Sequence, residues 1–298
     1  MRRLLRIGFG LVLIGFVGMI VFGIVSGEAW SDAFITADEY TMVERTYTVD
    51  EFSKLMVDVE DKSIEVGVSD DTDIHITYYV HEKSPVISTI EDDTLSVENH
   101  ILWYNYFLLN FDWFAPSAIH ELIILIPSDY VSSMNLHTSN GTIYIGEDLS
   151  FTELGASTSN GAITLENIDV SSDLTITSSN GVINVDGLVV SGDFLAITSN
   201  GKIDVDTISA DKVELSTSNG AIEAKNVSSN NIVLDTSNGN ITMNSLSSFD
   251  TTYLKMSTSN GSYYINGDKV STNSYHDGLS VKIDLHTSNG NVYVNFPN

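Results

Sequence analysis

Apolar and polar residues alternate along most of this chain, and the alternation returns in register every 19–20 residues. Period two is the spacing of a strand with one face buried. Two residues after a recurring glycine stand Ile143, Ile163, Ile183, Ile203, Ile222, Ile241, Tyr263 and Val292. Four after it stand Ile145, Leu165, Val185, Val205, Ala224, Met243, Ile265 and Val294. Upstream of the same glycine run two more columns, Met134, Leu154, Leu174, Phe194, Val213, Ile232, Leu254, Ile283 and Leu136, Ala156, Ile176, Ala196, Leu215, Leu234, Met256, Leu285. A fifth, shorter column holds Ile168, Leu188, Ile208, Val227 and Leu246. β-Branched residues at period two do not make a helical stripe.

The repeat carries a polar corner. Ser-Asn-Gly begins at serines 139, 159, 179, 199, 218, 237, 259 and 288, with spacings of 20, 20, 20, 19, 19, 22 and 29. Such periodicity predicts an all-β chain, a parallel β-solenoid or β-helix with 19–20-residue turns. Each turn is expected to lie on the one before it at about 4.8 Å, with like side chains stacked. Three short strands per turn make a triangular β-helix, and two make a flatter roll. The drift to 22 and 29 predicts loops inserted into late turns.

At the corner, glycine is expected to supply a backbone conformation that a Cβ disfavours, and asparagine to tolerate a left-handed one. Stacked asparagines are expected to form an amide ladder. The residue before each serine keeps the parity of the inward columns, so a buried Thr ladder with internally satisfied hydroxyls is expected. The outward neighbours are His137, Ser157, Thr177, Ile197, Ser216, Asp235, Ser257 and His286, too mixed for an ice-like lattice.

Residues 131–298 form the regular repeat region, and 46–130 are read as irregular first turns that cap an open strand edge. Leu55-Met56-Val57-Asp58-Val59 and Ile64-Glu65-Val66-Gly67-Val68 belong to these turns. Leu122 to Pro127 is expected to be a buried strand leading into the first regular turn. An aromatic insert occupies 101–114, where seven of fourteen residues are Trp103, Tyr104, Tyr106, Phe107, Phe111, Trp113 and Phe114. It reads either as a hydrophobic plug on the solenoid end or as a loop facing a partner or membrane.

The N-terminal pattern is different. Arg2, Arg3 and Arg6 lie in a basic tip, residues 1–6, ahead of an uncharged apolar run from Ile7 to Val25. As a helix this run spans about 28 Å, close to the thickness of a bilayer core. Basic residues stay in the cytoplasm, so the bulk of the chain is expected outside a cell membrane that it crosses once. Trp30 lies where an interfacial anchor belongs, and 26–45 reads as a linker. Ser26, Gly27 and Ala29 leave open a cleaved signal peptide. The chain ends within its last repeat, so the N-terminal helix is the expected anchor.

Net charge is −27, with 13 basic and 40 acidic residues. This argues against nucleic-acid and anionic-lipid partners, and suits cations, basic partners or plain solubility. There are no cysteines, so disulfides and thiolate metal sites are excluded. An outward column, Glu166, Asp186, Asp206 and then Lys225, stands beside Asp204 and Glu223. Carboxylates about 5 Å apart suit either a solvated acidic face or a Ca²⁺ site. The seven histidines (75, 81, 100, 120, 137, 276 and 286) are scattered, and no phosphate loop appears. No catalytic, cofactor-binding or metal residue is therefore assigned, and the chain reads as a non-enzyme.

On the strand Ile123-Ile124-Leu125-Ile126-Pro127, the run from Met134 through Gly141 and the Gly-x-Ile-x-Val repeats, residues 46–298 resemble the bacterial putative-adhesin family with β-strand repeats. This is a domain family of unknown function, often found behind one transmembrane helix. The insert 101–114 departs from its pattern. The resemblance implies a cell-envelope role, sometimes near envelope-stress systems. The expected function is binding to a partner protein or a wall or surface polymer. The alternatives are a regulatory membrane-partner protein and a carbohydrate-active β-helix enzyme.

Overall fold

The computed structural model describes residues 40–80, 85–99, 120–128, 130, 132–146, 148–271, 274–275 and 280–297. The expected basic tip, the membrane helix 7–25, Trp30 and the insert 101–114 lie outside the described residues. Among the described residues no helix is long and apolar enough to cross a membrane.

The described chain is built of strands. The N-terminal part holds β1 (Thr41–Thr48), β2 (Lys54–Val59), β3 (Ser63–Val68), β4 (Asp73–Val80), β5 (Val86–Glu91), β6 (Thr94–Asn99) and β7 (Glu121–Ile126). β1 begins inside the segment 26–45 expected as a linker. Next come β8 (Ser132–Thr138), β9 (Ile143–Ile145), β10 (Leu149–Thr158), β11 (Ile163–Val170), β12 (Leu174–Ser178), β13 (Ile183–Val190), β14 (Asp193–Thr198) and β15 (Ile203–Ser209). β16 (Lys212–Thr217), β17 (Ile222–Ser228), β18 (Asn231–Thr236) and β19 (Ile241–Ser245) continue the repeat. The C-terminal part holds β20 (Thr252–Thr258), β21 (Tyr263–Ile265), β22 (Asp268–Val270), β23 (Ser274–Tyr275), β24 (Val281–Thr287) and β25 (Val292–Asn295).

Each regular turn has three faces. One is β12 or its equivalents, ending on the threonine before Ser-Asn-Gly. The second starts after the glycine. The third follows a bend inside strands such as β11 and β13, where pairing skips from Glu166↔Asp186 to Ile168↔Leu188. The bend residue is left-handed in five successive turns: Asp148, Asn167, Gly187, Thr207 and Asn226 have φ of 58°, 53°, 69°, 57° and 52°. This second corner, six or seven residues after the glycine, is invisible to the hydrophobic pattern.

The four long columns are buried as expected, from Met134 to Ile283 and from Ile143 to Val294. Tyr263 and Ile265 are half-buried. At roughly 1.5–3 kcal/mol for each buried Val, Leu or Ile, this shared core is the main stabilising term. Leu246 is a correction: it is 55% exposed. The ladder slips after Lys225, and buried Ser245 pairs with Val227 in its place.

Chain order and spatial order diverge at both ends. The first-face strands stack as β6, β2, β8, β10, β12, β14, β16, β18, β24, β20. Second-face strands stack as β7, β3, β9, β11, β13, β15, β17, β19, β25, β21. The expectation that every turn lies on its predecessor therefore holds only in the middle. The repeat nearest each chain end occupies the second slot, sandwiched between two others. This explains the spacings of 22 and 29. The link after β19 climbs past a layer through a 3-10 turn, Phe249–Thr251, and the chain then returns to fill the gap. Phe249 packs edge-on against Phe296, with centroids 5.1 Å apart, and fastens the link over the last repeat.

The strand at Leu122–Ile126 is buried as expected, but it lies in the outermost layer, beyond β3. Antiparallel strands cover both ends: β5 on β6, β4 on β7 and β1 on β4 at one, β22 on β21 and β23 on β20 at the other. Covering strand edges in this way limits edge-to-edge association.

Candidate functional site

The corner is the most regular polar feature. Thr138, Thr158, Ser178, Thr198, Thr217, Thr236 and Thr287 are all buried. Each hydroxyl donates to a carbonyl of the neighbouring layer, for example Thr198 to Gly181 O at 3.1 Å and Thr217 to Gly201 O at 3.0 Å. The hydroxyls of Thr138, Thr158, Ser178, Thr198 and Thr217 also accept from the N–H of their own corner glycine, at 2.8–3.2 Å. The expected inward, internally satisfied ladder is borne out.

The asparagines form the expected amide ladder. Asn260 donates to Asn289, and the chain of donors runs on through Asn238, Asn219, Asn200, Asn180, Asn160 and Asn140 to the carboxylate of Asp61. The amide dipoles point one way, and an anion stands at their positive end.

The reason for glycine is a correction. The corner glycines and asparagines are not in the left-handed region, which belongs to the other corner. Layers touch here: a Cβ on Gly161, Gly181, Gly201 or Gly220 would lie 1.6–1.8 Å from the carbonyl oxygen of the layer below. Close backbone approach selects glycine.

On the outward faces, Glu166, Asp186, Asp206 and Lys225 stand in one register, as do Asp204 and Glu223. Other groups already engage most of these carboxylates. Lys202 Nζ reaches Asp204 at 2.8 Å and Glu223 at 3.1 Å, while Lys225 Nζ lies 3.5 Å from each. Partial burial works against the charge on Lys202, but its hydrogen bonds to Asp204 and Glu223, with their charges, outweigh it and raise its pKa. Tyr144 donates to Glu166 at 2.9 Å, and Asn226 donates to Asp206 at 2.7 Å. Among the described residues no group of three or more His, Asp and Glu is placed to hold a metal. Lys202 and Lys225 thus pair with Asp204 and Glu223, while Glu166 and Asp206 are held by neutral donors and the column stays acidic. Near the C-terminal end Tyr264 and Tyr293 stack at 4.8 Å.

His81, His100 and His276 lie outside the described residues. His75, on β4, hydrogen-bonds Asp71 Oδ1 through Nε2 at 2.9 Å and contacts Thr46 Oγ1 through Nδ1 at 3.3 Å. The order hydroxyl, imidazole, carboxylate was not evident from sequence, because Thr46 and His75 meet only through the β1–β4 register. Thr46 and His75 sit on the paired strands β1 and β4, Asp71 lies in the loop before β4, and Asp71 also accepts from Ser69 and Asp73. Their geometry staples the end cap.

The comparisons agree with this architecture. A putative adhesin from Parabacteroides merdae superposes with a TM-score of 0.54 at 16% identity, over 89% of this chain and 99% of that one. A putative adhesin from Parabacteroides distasonis gives 0.50 at 14% identity, over 89% and 100%. At these identities the likeness is one of fold. No curated protein matches the chain. The model of the Toastrack DUF4097 family matches residues 52–295, from the first layer to the last strand, and the chain belongs to that family.

Proposed function

We propose that the chain is a membrane-anchored surface protein whose solenoid binds a partner protein or a cell-wall or surface polymer, without doing chemistry. One observation carries this reading. β1 enters at the extreme end of the stack, so the apolar run 7–25 and its basic tip precede a fold that begins at that end. Anchored there, the long axis points away from the bilayer and displays some ten layers of outward side chains. The putative adhesins that share the fold support a binding role. With a net charge of −27, the partner is neutral or basic.

A second reading, a regulatory membrane-partner protein, is favoured by one placement. β6 and β7, the strands before and after 100–119 in the chain, lie in the outermost layer, at the same end as β1.

The chain has no cysteine, so a single Asp211→Cys at an exposed corner gives a clean probe. An impermeant maleimide is expected to label it on intact cells, with the protein held in the membrane fraction. Labelling only after lysis sinks the proposal. Crosslinking then separates the readings. A membrane protein captured by wild type but not by a variant lacking 101–114 favours the regulatory one. Wall material captured by both favours the binding one.

A further inference from the structure

The repeat places eight Asn-Gly pairs in one ladder, and its two ends differ. Seven asparagines have a side-chain oxygen that accepts from the next amide along. Asn260 is the open end: it donates to Asn289 Oδ1 at 2.7 Å, and among the described residues nothing donates to its own Oδ1. Gly261 is exposed, whereas Gly141, Gly161, Gly181, Gly201, Gly220 and Gly290 are buried and Gly239 is half-buried. In five corners a buried hydroxyl holds the glycine N–H; Gly239, Gly261 and Gly290 are not among those five, and of these three Gly261 alone is exposed.

These differences bear on a reaction that any Asn-Gly pair can undergo. The glycine backbone nitrogen loses its proton and attacks Asn Cγ. The new N–Cγ bond closes a five-membered succinimide, the Cγ–Nδ2 bond breaks, and ammonia leaves. Water then opens either carbonyl, giving aspartate or isoaspartate. Glycine favours attack because no Cβ obstructs it. Attack also needs a free N–H, access for water and a side chain able to rotate out of the ladder. A clamped inner rung fails the first and the last, since its glycine N–H is held and its side-chain oxygen is tied to the next amide.

We infer that Asn260 is a spontaneous modification site, the first of the eight ladder asparagines to convert to aspartate or isoaspartate; the ninth Asn-Gly pair, Asn266-Gly267, stands outside the ladder in the exposed turn between β21 and β22. The carboxylate formed no longer donates to Asn289, so the ladder loses its last rung. Asn289 still donates to Asn238 at 2.8 Å, and the damage stops there. The layer order thus puts the vulnerable pair on the outermost turn and shields the chain-terminal repeat beneath it.

The test is to age the full-length, detergent-solubilised chain in mildly alkaline buffer and map the eight ladder Asn-Gly pairs by fragment-ion mass, which separates Asn260 from Asn266 nearby. The one-dalton gain is expected at Asn260 first, at least about tenfold faster than at Asn160, Asn180 or Asn200, the factor set by opening one clamped hydrogen bond. Equal rates, or a lead by any of those three, overturn the inference. Thr198→Val supplies a second check by removing the clamp over Gly201. Asn200 alone is expected to accelerate; an unchanged Asn200 rate in a folded variant refutes the clamp. If that variant unfolds, the wild-type ranking alone decides. Asn260→Gln should abolish the early gain at position 260 and leave the rate at Asn266 unchanged.

Discussion

In the middle of the stack, from β10 to β19, each turn lies on its predecessor. At the two ends the sequence-terminal repeat is second from the edge, and another turn lies over it. Both regions share the inward columns and the register, and the C-terminal end keeps the Ser-Asn-Gly corner as well. A repeat of constant parity can therefore rest on any other repeat, since Ile232, Ile283 and Leu254 meet equally well in one column. The links and caps choose the order. The difference also protects the chain end: the last repeat has both strand edges paired and cannot fray outward.

The sharpest way to break the middle is at its closest approach. Gly201→Ala puts a Cβ 1.8 Å from Gly181 O, with Gly220 packed on the other side. Neither backbone can yield, and a loss of at least about 4 kcal/mol is expected. Gly261→Ala meets a similar oxygen, Gly290 O at 1.9 Å, but it stands in the outermost layer, which can shift. A smaller loss of about 1–3 kcal/mol is expected there. Urea midpoints of the two variants measure the contrast, and equal losses contradict it.

The buried chain end is tested by Leu285→Ala. Leu285 is fully buried and pairs with Leu234 on one side and Met256 on the other. The expected cost is about 2–4 kcal/mol, matching Leu215→Ala in the middle. A chain end that merely capped the stack would lose far less. The same urea titration decides between them.

How much of this was legible follows from the same contrast. The columns and the inward threonines could be read because parity is a local property of the chain. The amide ladder could be read because eight identical residues recur in step. The order of end layers could not, because the inward columns keep one parity throughout and nothing local says which neighbour a turn meets. The left-handed corner was missed because Asp148, Asn167, Gly187, Thr207 and Asn226 share a conformation, not a residue type. Four of the five are Asx or Gly, and that was the available signal. The acidic column was visible, but the pairing of Lys202 and Lys225 with Asp204 and Glu223 beside it arises partly between layers.

Thr207 is the exception in that corner, a β-branched residue at φ 57°. Left-handed backbone costs such a residue about 1–2 kcal/mol. Thr207→Asn, the residue found at 167 and 226, or Thr207→Gly is expected to stabilise the middle by about 0.5–1 kcal/mol. The exposed contact of Thr207 with Asp206 at 3.1 Å is a small loss against that gain. A lower melting temperature in both variants would show that the corner is not strained.

The smallest effect belongs to the N-terminal cap and is told by its pH dependence. Asp71 accepts hydrogen bonds from the Asp73 N–H, then from His75 and Ser69, and these lower its pKa from 3.8 to about 2. A carboxylate with a depressed folded pKa stabilises the fold above its unfolded value, and the contribution fades as pH falls through the folded one. Asp71→Asn should therefore weaken the cap at neutral pH. The gap from wild type should close as pH falls from 3.8 toward 2 and be absent below it. Asp71 is exposed, so water screens the contribution and the change stays local. Amide exchange should quicken in β1 and β4, and not in β14 or β16. Loss of protection in the middle of the stack would mean that the cap and the regular layers unfold as one, and that the distinction between end and middle has no energetic content.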